Sequence, residues 1–301
     1  MTTAERLGEL PVPDRHWLVE YVKLQRTADK RVEQALLDAV GQADRVMAGY
    51  TGKTGVTATV RTAQMMAAKN AIYKVLHKLF LEVGDITRAE QANAASLAED
   101  LMIEGESGIW KMILPDQRVR KETLDAMRTA ASRNIQSVMT RIFITEQTLS
   151  RRVYKSEALA KGQVNKVVNR HIAIGSSAED IAKDVRGLIR PDVSGGVSYR
   201  AKTLARTEIN NAFHAQSIAD MEDRPWIQQA QWNLSKSHEE EGCVCEKYAR
   251  IRYFFVDSVP KKPHPGCLCS ITPVLPDIDT ALNNFMAGQY APWLPSLTEV
   301  S

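Results

Sequence analysis

The sequence predicts a mainly α-helical protein of long amphipathic helices, with a small C-terminal α+β lobe whose short antiparallel sheet is stapled by a Cys/His site. Three observations support this prediction. Before Pro225, apolar residues recur every three or four positions, which is the helical period. After Pro225 the period changes to two, which is the period of a strand. All four cysteines lie within the 27 residues from Cys243 to Cys269.

Composition places the chain among ordinary soluble proteins. It has 301 residues, of which 44% are hydrophobic and 25% charged, and this length is sufficient for two domains. The first residues lack the apolar core of a signal peptide, and no apolar run approaches membrane-spanning length. We therefore expect no membrane span, and synthesis in a reducing cytoplasm. Such a compartment favours thiolates and metal ligation over disulfides.

Changes of pattern divide the chain into four predicted parts. In chain order, they are an N-terminal helical region (1–115), a long basic helical region (116–190), a C-terminal Cys/His domain (191–276) and a tail or arm (277–301). Pro191 and the Gly195-Gly196 pair mark the boundary at which the Cys/His domain begins. The tail carries a short helical pattern around Ala281 to Met286.

The N-terminal region is predicted to contain three helices. The first covers Asp14 to Met47 and the second covers about Val56 to Glu82. Thr87 and Glu90 have the spacing of a capping box. A third helix is therefore predicted to start there and to end before a loop at residues 105–115.

The region from Asp116 to Arg170 carries 12 Lys/Arg against 5 Asp/Glu. Its periodicity predicts one or two long amphipathic helices that end near Ile174. A basic helix can bind nucleic acid or an acidic protein surface, and a solvated helix face is the alternative. No aromatic residues are interleaved in a way that favours base stacking. The basic residues predicted to face a protein partner or DNA are Arg133, Arg141, Arg151, Arg152 and Lys155.

Two further helices are predicted before the C-terminal lobe. Ser176 and Glu179 have the spacing of a capping box, and the helix that they open is predicted to end near Arg190. The next helix is predicted to begin at Ser198 or Tyr199.

This second helix carries four residues that are predicted to form a structural polar network. Arg206, Asn210 and His214 are four positions apart and share one face. Arg206 and Glu208 cannot meet within one helix, so each needs a partner elsewhere. The predicted role is to pin the helix to the cysteine-bearing lobe, and an active-site role is the alternative.

Three short segments are predicted to form the C-terminal sheet. They are residues 227–234, 250–256 and 269–274, with the cysteine turns at the strand ends. Such a lobe has too little apolar core to be stable alone, so a metal staple makes physical sense.

Five residues are candidate ligands for one tetrahedral zinc ion. An extended Cys-x-Cys segment places both sulfurs on one face of a strand, and two such pairs with a nearby histidine can supply four ligands. Two cross-strand disulfides and four free thiols are the alternatives. A catalytic zinc is disfavoured, because such sites mix imidazole and carboxylate ligands and keep one position open. The candidates are Cys243, Cys245, His264, Cys267 and Cys269.

Several of these pieces occur in an order that resembles a known family. They are Arg206-Thr207-Glu208, the strand ending at Trp232, the Cys243/Cys245 turn, and His264-Pro265-Gly266-Cys267-Leu268-Cys269 followed by Ser-Ile-Thr-Pro273. In this respect residues 172–274, about a third of the chain, are similar to the Mu F-like head morphogenesis (minor head) proteins of tailed bacteriophages. The family usually has arginine where this chain has Leu268, a departure that leaves the metal ligands unchanged.

The resemblance implies a structural virion protein without catalytic activity. Such proteins accompany the portal protein inside the capsid and support head assembly, DNA packaging or delivery. The expected location is the capsid interior near the portal vertex, after synthesis in the host cytoplasm. The portal is the expected partner, with the major capsid or scaffolding protein as further candidates and with non-specific DNA contact.

Other functions remain as alternatives to this expectation. The main one is a DNA-binding protein that is ejected with the genome. A zinc-stapled nuclease is a weaker alternative and requires His238 or His264 as a free base with a second metal. A zinc deaminase requires Pro-Cys-x-x-Cys, whereas the cysteines that follow Pro265 are spaced Cys-x-Cys.

Overall fold

A computed structural model of the chain describes residues 12–50, 57–118, 120–125, 127–128, 149–193, 195–235 and 242–290. Helices dominate the described residues. In chain order, the helices are α1 (Val12–Ala48), α2 (Ala58–Ile113), α3 (Leu149–Ile174), α4 (Ala178–Ile189), α5 (Gly196–Glu222), α6 (Val244–Ile251) and α7 (Ile278–Met286). Residues 117–118, 120–125 and 127–128 are also helical. The strands are β1 (Gln229–Asn233), β2 (Tyr253–Phe255) and β3 (Ser270–Val274).

The long helix α2 replaces two predicted helices and a predicted loop. It runs without interruption from Ala58 to Ile113, so the predicted capping box at Thr87 is wrong. The Thr87 hydroxyl instead donates to the Val83 carbonyl oxygen at 2.6 Å, one turn earlier in the same helix. The predicted loop at residues 105–115 is also wrong, because burial of Trp110 keeps the chain helical through two glycines. The helix ends just before Pro115, as the conformational restriction before proline favours.

The described residues divide into two compact units. Of the described residues, the first unit contains those in the ranges 12–24, 91–128 and 209–290, and the second contains those in the ranges 25–90 and 149–208. Helices α1, α2 and α5 therefore each contribute residues to both units. The four-part division inferred from the sequence stays a prediction.

Helix α4 in the second unit has a capping box, but one residue later than predicted. The Ser177 side chain accepts from the Asp180 backbone N–H, and the Asp180 carboxylate accepts from the Ser177 N–H. The predicted pair was Ser176 and Glu179, which has the same spacing. Both registers fit the sequence, and only the extended backbone of Ser177 decides between them. The helix itself is confirmed.

Gly196, the first residue of α5, is a position where only glycine fits. Its φ is +64°, and a Cβ built there would lie 2.8 Å from the Leu188 carbonyl oxygen. We expect Gly196→Ala to lower the free energy of unfolding by about 2 kcal/mol, since the left-handed backbone alone costs an alanine about 1–2 kcal/mol. Gly187→Ala is the matched control, because it lies in helix α4 with no atom near its Cβ. It should raise stability by up to about 1 kcal/mol. Equal shifts in the two denaturation midpoints would contradict this explanation.

The first unit buries several carboxylates around one guanidinium. Arg224 Nε lies 2.8 Å from Glu106 Oε1, and Arg224 Nη2 lies 3.4 Å from Glu99 Oε1. The indole N–H groups of Trp226 and Trp110 also donate to Glu106, at 3.0 and 3.3 Å. Burial nevertheless raises the pKa of Glu106 above its usual value, against the opposing charge of Arg224.

A third carboxyl group, that of Asp220, completes this cluster. It is buried, accepts from Gln216 Nε2 at 2.6 Å, and has its pKa raised to about 9 by burial and by the nearby charge of Glu99. Asp220 therefore holds a proton at neutral pH. That proton joins the two carboxyl groups, whose Asp220 Oδ2 and Glu99 Oε2 atoms have no other hydrogen-bond partner among the described residues.

The C-terminal sheet has the strand order β2-β1-β3, with both pairs antiparallel. Ala230, Trp232 and Ile271 are buried on its inner face. The Trp232 ring lies 5.0 Å from the Tyr248 ring and 6.5 Å from the Phe254 ring, centroid to centroid. These contacts give the lobe a small aromatic core of its own.

The predicted fold class is confirmed. The described residues are mainly helical, and a small antiparallel sheet lies near the C-terminus beside a Cys/His group. Two predicted strands match β1 and β3. The predicted strand at residues 250–256 is reduced to the three residues of β2, because the preceding residues form α6.

Candidate metal centre

The first cysteine pair lies at the start of a helix and not in a strand. Cys243 is the N-cap residue of α6, and Cys245 lies in its first turn. Gly242 turns the chain with a φ of +85°, and its N–H donates to Glu246 Oε2 at 3.2 Å. Because Cys245 is helical, the predicted extended Cys-x-Cys conformation is wrong for this pair. The acidic residue Glu246 in the first turn favours the helix.

The second cysteine pair lies on a turn that leads into β3. Gly266 adopts a φ of +70°, and the Cys267 N–H donates to the His264 carbonyl oxygen at 3.3 Å. This turn carries His264 and Cys267 back toward α6. Cys269 follows and immediately precedes β3.

The five predicted ligands form two overlapping triplets that share Cys245. Cys243, Cys245 and His264 place their ligand atoms within 4.8 Å of one another, and so do Cys245, Cys267 and Cys269. All four cysteines are free thiols. The structure therefore brings the predicted ligands together in a group that can bind a metal ion.

The separations around Cys245 fit a tetrahedral ion. Its Sγ lies 3.3 Å from His264 Nε2 and 3.5 Å from Cys267 Sγ. Bond lengths of 2.3 Å to sulfur and 2.0–2.1 Å to nitrogen give tetrahedral edges of about 3.6 Å (S···N) and about 3.8 Å (S···S). Small outward movements of the side chains would admit an ion.

The thiols differ in how readily they lose a proton. A hydrogen bond from Cys269 lowers the pKa of Cys267 to about 5, with help from the charge of Lys262. Burial raises the pKa of Cys245 to about 12, and donating to Cys267 raises the pKa of Cys269. Without metal, Cys267 is therefore the thiolate among Cys245, Cys267 and Cys269. A metal ion must displace the protons of Cys245 and Cys269, as thiol ligation generally requires.

Asn210 and His214 hold the backbone around the second cysteine pair. Asn210 Nδ2 donates to the Cys267 carbonyl oxygen at 2.8 Å, and the Tyr21 hydroxyl donates to Asn210 Oδ1. His214 Nε2 donates to the Pro260 carbonyl oxygen at 2.9 Å. Burial lowers the pKa of His214 to about 3, so this imidazole is neutral at pH 7.

Arg206 and Glu208 were predicted as members of the same network, but they pair with residues of α1 and α3. Arg206 makes two hydrogen bonds to Asp29, at 2.8 and 2.7 Å. Arg152 Nη2 lies 2.7 Å from Glu208 Oε2. Burial outweighs this arginine and raises the pKa of Glu208 to about 7. Of the four predicted residues, Asn210 and His214 thus contact the cysteine-bearing lobe. Arg206 and Glu208 instead contact Asp29 and Arg152.

The predicted basic surface is only partly visible. Arg133 and Arg141 lie outside the described residues. Arg151 and Lys155 are exposed on α3, whereas Arg152 is paired with Glu208 as described.

Sequence reasoning missed Lys262 as a part of the metal centre. Its Nζ donates to the Cys269 carbonyl oxygen, and burial lowers the pKa of this lysine against the attraction of three cysteines. The Ser235 N–H also lies 3.5 Å from Cys269 Sγ. The sequence signal for Lys262 was its position two residues before His264, which alone did not distinguish it from a solvated lysine.

Loss of the Asn210 side chain should loosen the second cysteine turn. We expect Asn210→Ala to lower the free energy of unfolding by about 1–3 kcal/mol, because a buried carbonyl group loses its donor. Metal affinity should fall as well, since the backbone of a candidate ligand is released. The control is Asn211→Ala, at the half-buried neighbouring position on α5. Equal metal affinity in both variants would show that Asn210 does not position the site.

Comparisons of the chain with protein-family models, curated proteins and solved structures gave no match. Among the described residues, no helix combines the length and the apolar character needed to cross a lipid bilayer.

Proposed function

We propose that this chain is a structural minor head protein of a tailed bacteriophage that docks on the portal inside the capsid and supports head assembly, DNA packaging or delivery. The observation that carries the proposal is the Cys/His cluster beside the small C-terminal sheet. It contains the residues on which the resemblance to the Mu F-like proteins is most specific. The role is structural and not enzymatic.

The metal that fits the cluster is zinc. Its ligands in this proposal are Cys245, His264 and Cys267, with Cys243 or Cys269 as the fourth. Thiolates and imidazole are the ligands of structural zinc sites, which are closed and tetrahedral. The zinc joins α6 to the turn before β3 and so supplies stability that the small sheet lacks.

The exposed basic residues of α3 supply the docking surface. Arg151 and Lys155 lie one helical turn apart and are both exposed. Their charges attract an acidic protein surface. Arg152 contributes less, because Glu208 already holds its guanidinium.

Co-expression with the portal protein of the same phage, which the resemblance implies is encoded nearby, tests the proposal. We expect one peak on size exclusion that contains the portal, this chain and zinc. Reversing two charges, in Arg151→Glu with Lys155→Glu, should abolish co-elution. The matched control is Lys74→Glu with Lys78→Glu, an exposed pair with the same spacing on α2.

Two outcomes would count against this function. A chain that elutes alone, folded and zinc-loaded, would refute portal docking. If that chain also binds double-stranded DNA with an affinity that falls steeply with salt, the protein is an ejected DNA-binding protein.

A further inference from the structure

Two aromatic rings are exposed on the outer face of the C-terminal sheet. Tyr253 is 43% exposed and Phe255 is 61% exposed. Both belong to β2, which is an edge strand. The intervening Phe254 packs against Trp232 on the opposite face. Because side chains alternate along a strand, the two rings project from the same outer face, from Cα atoms about 6.8 Å apart.

A row of polar side chains lies beside these rings. The register of β1 places Gln229 opposite Phe255 and Gln231 opposite Tyr253. Thr272 of β3 follows on the other side of Gln231. Gln231 Nε2 donates to Asn233 Oδ1 at 3.0 Å, and Asn233 Nδ2 donates to Thr272 Oγ1 at 3.1 Å. Amide and hydroxyl groups both donate and accept hydrogen bonds, so these side chains can still pair with a polar ligand.

One cation lies against the rings, and other basic residues lie nearby in sequence. Within residues 242–262, a range that excludes Glu239, Glu240 and Glu241, the chain has five Lys/Arg against two Asp/Glu. The Arg252 guanidinium lies 5.2 Å from the centroid of the Tyr253 ring. Of the two acidic residues, Glu246 already lies 3.6 Å from Arg250. The exposed basic residues are Lys247, Arg250, Arg252 and Lys261.

We propose that this outer face, defined by Tyr253, Phe255, Gln229, Gln231 and Arg252, binds single-stranded nucleic acid. Aromatic faces stack on bases of any sequence, and nearby cations contact the phosphates. The spacing of their Cα atoms is about twice the 3.4 Å between stacked bases. The rings therefore accept bases that are splayed apart, which a duplex does not offer. A flexible nucleic-acid strand can stack its bases on the apolar rings and place its phosphates beside the positive charge. An acidic peptide can pair only with the charge.

Fluorescence anisotropy of the zinc-loaded full-length chain with a short labelled oligothymidylate at low salt tests this proposal. Tyr253→Ala and Phe255→Ala should each weaken binding about tenfold, which is within the range for loss of one stacked base. Tyr199→Ala is the matched control, because this tyrosine is equally exposed on α5, and it should bind like wild type. Arg252→Gln should reduce the slope of log affinity against log salt by roughly 0.7. Oligouridylate in parallel distinguishes RNA from DNA as the preferred strand.

Three results would overturn the proposal. The first is absence of oligonucleotide binding at low salt. The second is equal binding by the wild type and by the variants Tyr253→Leu and Phe255→Leu. These two variants keep an apolar side chain without a ring, which guards against a folding defect. The third is loss of portal co-elution in the aromatic variants with unchanged oligonucleotide affinity, which would assign the face to a protein partner.

Discussion

Removal of zinc is expected to unfold the C-terminal lobe of the full-length chain. Structural zinc sites contribute about 10–16 kcal/mol of apparent binding free energy at pH 7. This free energy is large compared with the stability that the small aromatic core around Trp232 can supply. A strong chelator should therefore abolish hydrogen-exchange protection of the amides in β1 and β3. The same loss is expected for Cys245→Ser without chelator, because Cys245 belongs to both ligand triplets.

Serine at Cys243 and at Cys269 identifies the fourth ligand. The variant that removes a true ligand should lose zinc on dialysis, while the other should keep one equivalent by metal analysis. Val244→Ala is the control, because its side chain is exposed between two cysteines. A chain that purifies without metal and is indifferent to chelator would refute the zinc staple.

Asp220→Asn is expected to stabilise the protein increasingly as the pH rises. The folded-state pKa of Asp220 is about 9, against an ordinary value of 3.8. Between these values the folded chain keeps a proton that the unfolded chain releases. The unfolding free energy of the wild type therefore falls with rising pH, on the order of 1 kcal/mol per pH unit. Asparagine does not titrate, and its amide can donate to Glu99 as the protonated carboxyl group does.

Urea denaturation at pH 5, 7 and 9 measures this difference. The advantage of Asp220→Asn over wild type should be smallest at pH 5 and largest at pH 9. Glu222→Gln, an exposed change two residues later on α5, should show no such trend. A constant difference between Asp220→Asn and wild type would mean that Asp220 is already ionised at pH 5.

Periodicity was sufficient to predict which segments form helices and strands, but not where one helix ends and the next begins. The pattern of α1 was found within two residues of its bounds, and β1 and β3 lie inside their predicted segments. The error at Thr87 has a physical reason. A threonine can cap a helix or donate back to its own helix, and burial of residues distant in sequence selects between these states.

The candidate metal centre shows the same limit. The five candidate ligands were predicted from residue type and spacing, because soft-metal ligands clustered so closely are rare by chance. The helical conformation of Cys245 was not predictable from alternation, since two cysteines one residue apart carry no period. Lys262 and the bond from Asn210 to Cys267 depend on tertiary packing. The position of Lys262 beside His264 did not distinguish it from a solvated lysine, and the bond from Asn210 has no local signal.

The position of Cys243 at the start of α6, together with Lys262, has a consequence for electroneutrality. Zinc with three thiolates and a neutral imidazole carries one net negative charge, whereas four thiolates would leave two. The N-terminus of a helix supplies roughly half a positive charge, and the Lys262 side chain lies among the same cysteines. A site that includes His264 is thus close to balance within the lobe. It needs no counter-ion from solvent.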